Sequence, residues 1–434
     1  MLTRKERIDR IKENPDLSVL IVGAGINGIG TFRDLAIQGV DVLMVDRGDY
    51  CSGASAATSH MVHGGIRYLE NGEFRLVREA VRERNRLIEN APHLVKPLQT
   101  TFPIFKWFSG LLNAPLKFLG WLDRPSERGA VVIKIGMTLY DIYTRAQKTV
   151  PKHIFRNRKQ SLKLFPALNP DILFTGTYFD GSMPSPERIS IELITDAVEE
   201  NERAIPLNYM SVISIQEDAV VLRNEIDGEL IHIRPQAVIN AGGPWIDHIN
   251  TSLGQSTQFI GGTKGSHLVL DHPEMRAAIG ENEFFFENQD GRIVLIFPLK
   301  DRVLIGTSDI RIEDADDAVV TDGEVDYFFE MIKRVFPGMN VNRSHIVYTF
   351  SGVRPLPFTD ANLTGLISRD HEIRVIQPGE GTSFPIYSLV GGKWTTFRAF
   401  SEEMCDLVLA QLGLPRRRKT DDLPVGGGKG YPKK

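Results

Sequence analysis

The feature that most constrains the fold is a glycine-rich turn between two short apolar segments near the start of the chain. Residues 18–22 form an apolar run that leads into G-A-G-I-N-G at residues 23–28. A helix-like stretch follows, and a second apolar run, residues 40–45, stops at Asp46. This order of strand, glycine turn, helix, strand and acid is typical of a mononucleotide-binding βαβ unit.

Each residue of this unit has a physical role. Gly23 permits a tight turn, Gly25 lets the backbone approach a pyrophosphate, and Gly28 lets the helix pack closely on the strand. The start of the helix offers N–H groups to the phosphates. Asp46 suits ribose hydroxyls and would repel a 2′-phosphate, although Arg47 weakens that repulsion. The motif therefore predicts a dinucleotide other than NADP, and does not by itself separate FAD from NAD.

The bulk properties exclude several classes of protein. A chain of 434 residues is long enough for two domains, and its net charge of −4 does not favour a nucleic-acid partner. Its two cysteines, Cys51 and Cys405, lie far apart, which indicates a reducing compartment without a disulfide framework. We find no metal-ligand spacing, signal peptide or apolar run long enough to span a bilayer, and we expect a cytoplasmic protein.

The order of elements favours FAD. A compact series of βα repeats would follow the first unit in a plain nicotinamide dehydrogenase, but here a β-rich stretch occupies residues 256–350. We therefore predict an α/β protein whose Rossmann-like FAD-binding domain is assembled from discontinuous segments. An α+β substrate domain with a mainly antiparallel sheet is inserted between them. The predicted ranges are 1–95, 170–253 and 351–412 for the FAD-binding domain, 96–169 and 254–350 for the substrate domain, and 413–434 for a C-terminal tail. Residues 423–434 of this tail are expected to be an exposed linker or a frayed end.

One set of candidate site residues follows the small-residue loop after Asp46. Gly64 and Gly65 would let the backbone pass beneath a flat ring, and Arg67 and Tyr68 follow them directly. Read alone, Arg67 fits a surface ion pair and Tyr68 a core aromatic. The glycine pair before them favours a functional role.

Two later segments carry further cations. Arg354 stands between a glycine turn and a proline, and a guanidinium suits a carboxylate or phosphate. Arg369 follows, with a simple pairing to Asp370 as an equal alternative. Lys393 lies in G-G-K-W-T-T, residues 391–396, which predicts a strand end, a glycine turn and a helix start. A positive charge there favours flavin reduction, and a solvated lysine beside a capped helix is the alternative.

Two histidines are candidate bases. His267 ends G-T-K-G-S-H, near G-T-S-D with Thr307, and His63 precedes the glycine pair. A structural histidine is an equally good interpretation of each.

Together and in order, these segments resemble the FAD-dependent glycerol-3-phosphate dehydrogenase family, a branch of the D-amino-acid-oxidase-like flavoproteins. The resemblance covers about residues 17–426. The matching segments are V-G-A-G-I-N-G (22–28), H-G-G-I-R-Y-L-E (63–70), E-F-R-L-V (73–77), A-P-H-L (91–94), I-N-A-G-G-P-W (239–245), K-G-S-H (264–267), I-G-T-S-D (305–309), Y-T-F-S-G-V-R-P-L (348–356), S-R-D (368–370) and G-G-K-W-T-T-F-R (391–398).

The resemblance implies oxidation of sn-glycerol 3-phosphate to dihydroxyacetone phosphate, with a hydride passing from C2 to flavin N5 and electrons passing to quinone. It implies that Arg354 orients and polarises the substrate hydroxyl, with His63 and His267 as candidate bases. The other residues expected around the substrate are Arg67, Tyr68, Thr307, Arg369 and Lys393.

The expected FAD contacts come from the glycine turn, the acid, the loop that follows it and several later segments. They are Gly23, Gly25, Ile26, Asn27, Gly28, Asp46, Arg47, Ser55, Thr58, Ser59, His60, Gly64, Gly65, Val212, Ala241, Gly242, Trp245, Gly352, Gly392, Lys393, Trp394, Thr395 and Thr396.

The chain departs from the family pattern in three places. The C-terminal helical domain common in the family is not expected here, and His60 stands where a lysine is often found. Residues 102–124 are rich in Trp, Phe and Leu and resemble an interfacial anchor for the inner face of the cytoplasmic membrane. A packed helix pair or a dimer contact explains them equally well.

Two other functions stay open at this stage. One is a related flavoprotein oxidase or dehydrogenase for another hydroxy acid, an amine or a phosphorylated polyol. The other is a flavin-binding subunit without catalysis.

Overall fold

The computed structural model describes residues 2–66, 73–107, 129–144, 149–287, 293–359, 370–379 and 381–432. Its strands are β1 Asp16–Val22, β2 Val42–Val45, β3 Met61–Val62, β4 Lys96–Ile104, β5 Ile154–Asn157, β6 Phe174–Ser182, β7 Ala204–Leu207, β8 Met210–Gln216, β9 Ala219–Asn224, β10 Leu230–Asn240, β11 Thr263–Leu270, β12 Asn282–Glu287, β13 Ile293–Leu299, β14 Arg302–Gly306, β15 Ile310–Arg311, β16 Ile346–Arg354, β17 Glu372–Ile376 and β18 Ile386–Val390. Its α-helices are α1 Arg4–Glu13, α2 Ile26–Ile37, α3 Phe74–Asn90, α4 Ala130–Thr144, α5 Arg158–Leu164, α6 Pro186–Glu200, α7 Ile246–Ser252, α8 Pro273–Ile279, α9 Asp322–Val335 and α10 Phe397–Gln411.

The first sheet contains the predicted βαβ unit. Its strands run in the order β17-β18-β10-β1-β2-β7, all neighbours parallel except β17 with β18, and β8 and β9 continue from β10. Side chains of α2, α6 and α10 pack on one face of β1, and those of α1, β8 and β9 pack on the other. Because β1 is covered on both faces, it reads in the sequence as a continuous apolar run. The predicted fold class is confirmed.

The second sheet is mainly antiparallel, as predicted for the substrate domain. Its order is β15-β11-β14-β13-β12-β4-β6-β3, with β16 paired to β11 and β5 paired to β6. Apolar side chains of α8 and α9 bury one face of it. Three of its segments, β3, β6 and the end of β16 at residues 351–354, fall in ranges assigned above to the FAD-binding domain. Their partners, β6, β4 and β11 respectively, are distant in sequence, so alternation alone does not reveal which sheet they join.

The C-terminal tail is largely exposed, but parts of it pack against the first domain. Thr420 and Val425 are buried, and the N–H of Val425 donates to the carbonyl of Asn90 at 2.9 Å. The Arg416 guanidinium donates to the Asp34 carboxylate at 2.9 Å. These bonds hold the segment against α2 and α3. Within the described ranges, none of the helices is both long and apolar enough to cross a membrane.

Glu283 is an ionisable group buried in the second sheet. It lies on β12 with none of its surface exposed, and it accepts a hydrogen bond from Thr100 Oγ1 at 2.8 Å. Burial raises the pKa of Glu283 to about 8, and the nearby charge of Asp180 acts in the same direction. The carboxyl group is therefore neutral at neutral pH.

We predict that Glu283→Gln stabilises the protein increasingly as the pH rises from 5 to 8. The unfolded chain ionises near pH 4.5 and the folded chain near 8, so native Glu283 costs stability across this window. The gain in the free energy of unfolding should be about 3 kcal/mol at pH 7. Urea unfolding at pH 5 and pH 8 measures it, with exposed Glu330→Gln on α9 as the control. An equal gain at both pH values would contradict the assignment.

Candidate functional site

The glycine turn after β1 has the geometry that the motif predicts. Gly23 has φ +109°, and a Cβ atom there would lie 2.5 Å from the carbonyl oxygen of Ala241. A Cβ atom at Gly28 would overlap the carbonyl of Gly23, so both positions exclude a side chain. Gly25 caps α2 and has no side chain, so an anion can approach the start of the helix, where the N–H of Ile26 bonds the Ser55 hydroxyl.

Asp46 lies at the end of β2, as predicted. Its two carboxylate oxygens accept hydrogen bonds from the N–H groups of Ala24 at 2.6 Å and Gly48 at 2.8 Å. Burial raises the pKa of Asp46, and these two bonds oppose that rise. The group is thus fixed beside the glycine turn, where a ribose would be held.

Next to Asp46, a cluster of three side chains joins segments that are distant in sequence. The guanidinium of Arg47 stacks over the Trp245 ring at 4.6 Å and pairs with Asp316 at 2.5 Å. Trp245 Nε1 also donates to Asp316 at 2.9 Å. Arg47 and Trp245 were expected near the cofactor. Asp316 was not, because an acidic turn at the surface carries no local signal of its partner.

The segment after β18 forms the predicted strand end, glycine turn and helix start. Gly391 and Gly392 have φ +78° and +84°, and a 3-10 turn, Trp394–Thr396, leads into α10. A Cβ atom at Gly392 would overlap the Asn27 side chain, whose Nδ2 donates to the Gly391 carbonyl at 3.4 Å. The second glycine segment is therefore packed directly on the first.

The loop between β2 and β3, residues 46–60, is bonded to both glycine segments. The Ser55 hydroxyl accepts from the N–H of Ile26 at 2.9 Å, and the Ser55 carbonyl accepts from Trp394 Nε1 at 2.8 Å. Just beyond β3, the N–H of His63 donates to Thr395 Oγ1 at 3.1 Å. Residues 46–66, here called the bridging segment, therefore link the first βα turn to the start of α10.

The same segment reaches the second sheet. Ser59 Oγ hydrogen-bonds His267 Nε2 on β11 at 2.9 Å. A Cβ atom at Gly352 on β16 would lie 2.7 Å from the carbonyl oxygen of Ala57, so this position also needs a glycine. The bridging segment thus lies between the dinucleotide-binding elements and the strands that carry His267 and Arg354.

Arg354 ends β16 with its guanidinium held in place by the loop after β14. It donates to Thr307 Oγ1 at 2.9 Å, to the Ser308 carbonyl at 3.1 Å and to Asp309 Oδ1 at 3.2 Å. A Cβ atom at Gly265 would overlap this guanidinium, which explains the glycine in K-G-S-H. Thr307 was expected near the substrate, and Asp309 is an additional residue that orients the cation.

Lys264, in the same motif, has a structural role. Its ammonium donates to Glu324 at 2.8 Å, and the hydroxyl of Ser308 donates to the same carboxylate at 2.6 Å. Burial alone would raise the pKa of Glu324, but these bonds outweigh it and hold the pKa at about 2. The ion pair fixes the 307–309 loop on which the Arg354 guanidinium rests.

His267 is a neutral, fully buried histidine. Its ring stacks on Phe350 with centroids 4.7 Å apart, and burial, with Arg354 adding to it, lowers the pKa of His267 to about 3. His60 makes an edge contact with the same Phe350 ring, and burial also lowers the pKa of His60. Burial therefore disfavours the charged form of both side chains, and His267 lies near the Arg354 cation.

Several other expected residues can be placed. Lys393 follows the glycine pair, and its positive charge lowers the pKa of Glu79 on α3, although burial of Glu79 has the larger, opposite effect. Val212 lies on β8 and packs against the core of the first sheet. Arg67, Tyr68 and Arg369 lie outside the described residues.

The residues present fit FAD. Two buried oxygen atoms at the two glycine segments, Asn27 Oδ1 and Thr396 Oγ1, have no hydrogen-bond partner within the described parts of the chain. Both stand where the cofactor was expected. With Asp46 and the open start of α2, they provide acceptors and donors for a dinucleotide.

Comparison with known proteins agrees with this geometry. The family of FAD dependent oxidoreductases, DAO, matches residues 18–388. The chain belongs to this family. It is 36% identical to the glycerol-3-phosphate dehydrogenase of Synechocystis sp., over 97% of this chain and 75% of that protein. It is 30% identical to the D-erythritol 1-phosphate dehydrogenase of Brucella abortus, over 94% of this chain and 77% of that protein. Within the family it is therefore a member of the glycerol-3-phosphate dehydrogenase branch, and an FAD-dependent oxidoreductase.

Solved structures share the fold. The glycerol-3-phosphate dehydrogenase of Bacillus halodurans, complexed with FAD, aligns with a TM-score of 0.73 at 24% identity, over 98% of this chain and 70% of that one. The L-alpha-glycerophosphate oxidase of Mycoplasma pneumoniae, with FAD bound, aligns with a TM-score of 0.65 at 18% identity, over 95% and 98%.

We predict that Gly23→Ala abolishes FAD binding. The new Cβ atom would meet the Ala241 carbonyl and displace the turn that approaches the pyrophosphate. Gly228→Ala is the matched control, because Gly228 also has a positive φ, +80°, but open space around its Cβ position. The ratio of flavin absorbance to protein absorbance in the purified chains measures the effect. Full FAD content in Gly23→Ala would refute the assigned role.

Proposed function

We propose that this FAD-dependent oxidoreductase converts sn-glycerol 3-phosphate to dihydroxyacetone phosphate. The observation that carries the proposal is the bridging segment, bonded to Thr395 beside Lys393 on one side and to His267 near Arg354 on the other. Cations on both sides of this segment would suit a small phosphorylated alcohol bound between them. The name of the Synechocystis relative supports the choice of substrate.

The cations have separate tasks. Arg354, oriented by Thr307 and Asp309, polarises the C2 hydroxyl and stabilises negative charge as its proton leaves. Lys393 would attract the phosphate of the substrate and the negative charge that the flavin ring gains on reduction. Arg67, Tyr68 and Arg369 belong to the same proposed shell on the strength of the family resemblance.

We propose that the imidazole of His63 accepts the proton of the C2 hydroxyl. His267 is a poor acceptor, because its pKa is about 3 and its Nε2 atom already bonds Ser59. His63 is half-buried and lies directly before the Gly64-Gly65 turn. Bound FAD would supply the hydride acceptor for C2. His267 instead positions Ser59.

The first test is anaerobic addition of substrate to the FAD-loaded chain. Glycerol 3-phosphate should bleach the flavin absorbance, whereas glycerol and 2-hydroxyglutarate, which have no phosphate, should not. Arg354→Ala should slow bleaching by about 100-fold with FAD still bound, because one transition-state donor is lost. The control is Arg343→Ala, an exposed arginine paired with Asp322 and Asp326.

Bleaching by an amino acid or a hydroxy acid, but not by glycerol 3-phosphate, would refute this function. A phosphorylated polyol is the second candidate, because the chain is 30% identical to the D-erythritol 1-phosphate dehydrogenase of Brucella abortus. A parallel titration with D-erythritol 1-phosphate separates the two candidate substrates, since the true substrate should reduce the flavin faster at equal concentration.

We further propose that the chain attaches to the inner face of the cytoplasmic membrane through the part of the predicted anchor, residues 102–124, that follows β4, and passes its electrons to quinone. Residues 102–104 belong to β4 and pair with β6, so the start of the predicted anchor is corrected. Residues 108–124 of this anchor lie outside the described residues. What supports the proposal is the surface beside them: the Trp107 side chain is 52% exposed, and α4 exposes Ile135, Leu139 and Ile142 along one stripe. An exposed apolar stripe next to an aromatic residue suits the bilayer interface.

We predict that the purified chain sediments with phosphatidylcholine–phosphatidylglycerol vesicles and that Ile135→Glu with Leu139→Glu releases it, because two charges replace apolar contacts. Ile226→Glu is the control, since Ile226 is 64% exposed in the turn after β9. If the unaltered chain stays in the supernatant, the membrane proposal fails. Conversion of a dimer to a monomer by the double substitution would instead identify the stripe as a dimer contact.

A further inference from the structure

The backbone pairing of the bridging segment ends at a buried aspartate. β3 pairs with the end of β6, Met61 with Ser182 and Val62 with Gly181. At the next step along β6 the side chain of Asp180 continues the ladder, because its Oδ1 atom accepts a hydrogen bond from the N–H of Gly64 at 2.9 Å. Asp180 therefore marks the point where the chain leaves the sheet and turns towards the proposed active site.

Two buried side chains hold Asp180 in place. Its Oδ1 atom also accepts from Arg84 Nη1 at 2.9 Å and from the Tyr140 hydroxyl at 2.7 Å, and Arg84 Nη1 donates to the Tyr140 oxygen at 2.6 Å. The side chains of Arg84 and Asp180 are 0% and 1% exposed. Loss of either partner would leave an uncompensated buried charge, so this pair is costly to break.

Gly64 fits this cluster closely. A Cβ atom there would overlap the Tyr140 hydroxyl and lie 2.8 Å from Val81. The position therefore requires glycine because Tyr140 occupies the space that a side chain would need. This explains the first glycine of the pair in terms of its neighbours as well as the flat ring expected above it.

His63 lies between two fixed peptide groups. Its own N–H donates to Thr395 Oγ1 at 3.1 Å, and the N–H that follows it, from Gly64, donates to Asp180. Fixing the peptide groups before and after a residue fixes its φ and ψ angles. The direction in which the His63 side chain leaves the backbone is therefore set from both sides of the fold.

We propose that Asp180, held by Arg84 and Tyr140, is a positioning residue for His63 in the oxidation reaction. The inference rests on the proposed function, in which His63 accepts the proton of the substrate hydroxyl. Asp180 touches neither substrate nor cofactor in this account. It acts by keeping the proton acceptor at the required distance and angle, a requirement to which rates are highly sensitive.

The test compares Asp180→Asn and Tyr140→Phe with the unaltered FAD-loaded chain by stopped-flow flavin reduction. Both variants weaken the anchor at Gly64. The limiting reduction rate should fall by about 10- to 100-fold, because the acceptor is misplaced, while the Kd for glycerol 3-phosphate stays unchanged. Glu283→Gln is the matched control, a buried carboxyl-to-amide change that makes no hydrogen bond to residues 63 and 64.

A double-mutant cycle separates positioning from a general structural defect. In a His63→Asn background, Asp180→Asn and Tyr140→Phe should cause no further loss of rate, because the residue they position is already absent. Full multiplication of the two losses would overturn the proposal. So would wild-type reduction rates in both single variants. Because Asp180→Asn leaves Arg84 without its counterion, Tyr140→Phe decides the matter if the first variant does not fold.

Amide hydrogen exchange at Gly64 provides a readout that needs no substrate. The peptide containing this amide should exchange slowly in the unaltered holoenzyme and in Glu283→Gln, and faster in Tyr140→Phe. If glycerol 3-phosphate fails to reduce the flavin, the proposed function fails, and this exchange still decides whether Asp180 anchors the turn. Unchanged protection in Tyr140→Phe would overturn the anchoring role.

Discussion

The candidate site depends on one segment of the chain that contacts both sheets. Residues 46–66 leave the first sheet after β2, bond to the start of α10 through Ser55 and His63, and bond to the second sheet through Ser59. Each of these contacts joins elements distant in sequence. The glycines at 23 and 352 are needed because another backbone segment approaches too closely there for a side chain, and Gly392 is needed because the Asn27 side chain occupies the space.

The electrostatics of the site follow from the same arrangement. Arg354 lies on the second sheet near His267, which bonds the bridging segment, and Asp309 and Thr307 hold its guanidinium in one orientation. Burial keeps His267 neutral beside it, which avoids a second positive charge in an apolar setting. The fixed Arg354 cation therefore stands beside a neutral histidine, and a phosphorylated alcohol supplies the complementary charge.

The sequence predicts the parts of this site whose signals are local. The βαβ unit and the turn at residues 391–396 follow from glycine spacing, because the residues that shape each turn are contiguous. Partners across the fold leave no such signal. Asp180 and Asp316 look like ordinary acids in a strand and a turn, and the packed tail around Val425 looks like a linker because its buried contacts are with distant helices. The sequence also offers His63 and His267 as candidate bases, but it does not show that burial makes His267 a poor proton acceptor.

A crystal structure of the FAD-loaded chain with glycerol 3-phosphate tests the central claim most directly. The account predicts the substrate between the two sheets, with its C2 hydroxyl within hydrogen-bonding distance of the Arg354 guanidinium and of the His63 ring, and its phosphate on the side of Lys393. Substrate bound away from the bridging segment, or Arg354 and Lys393 facing separate surfaces, would contradict it.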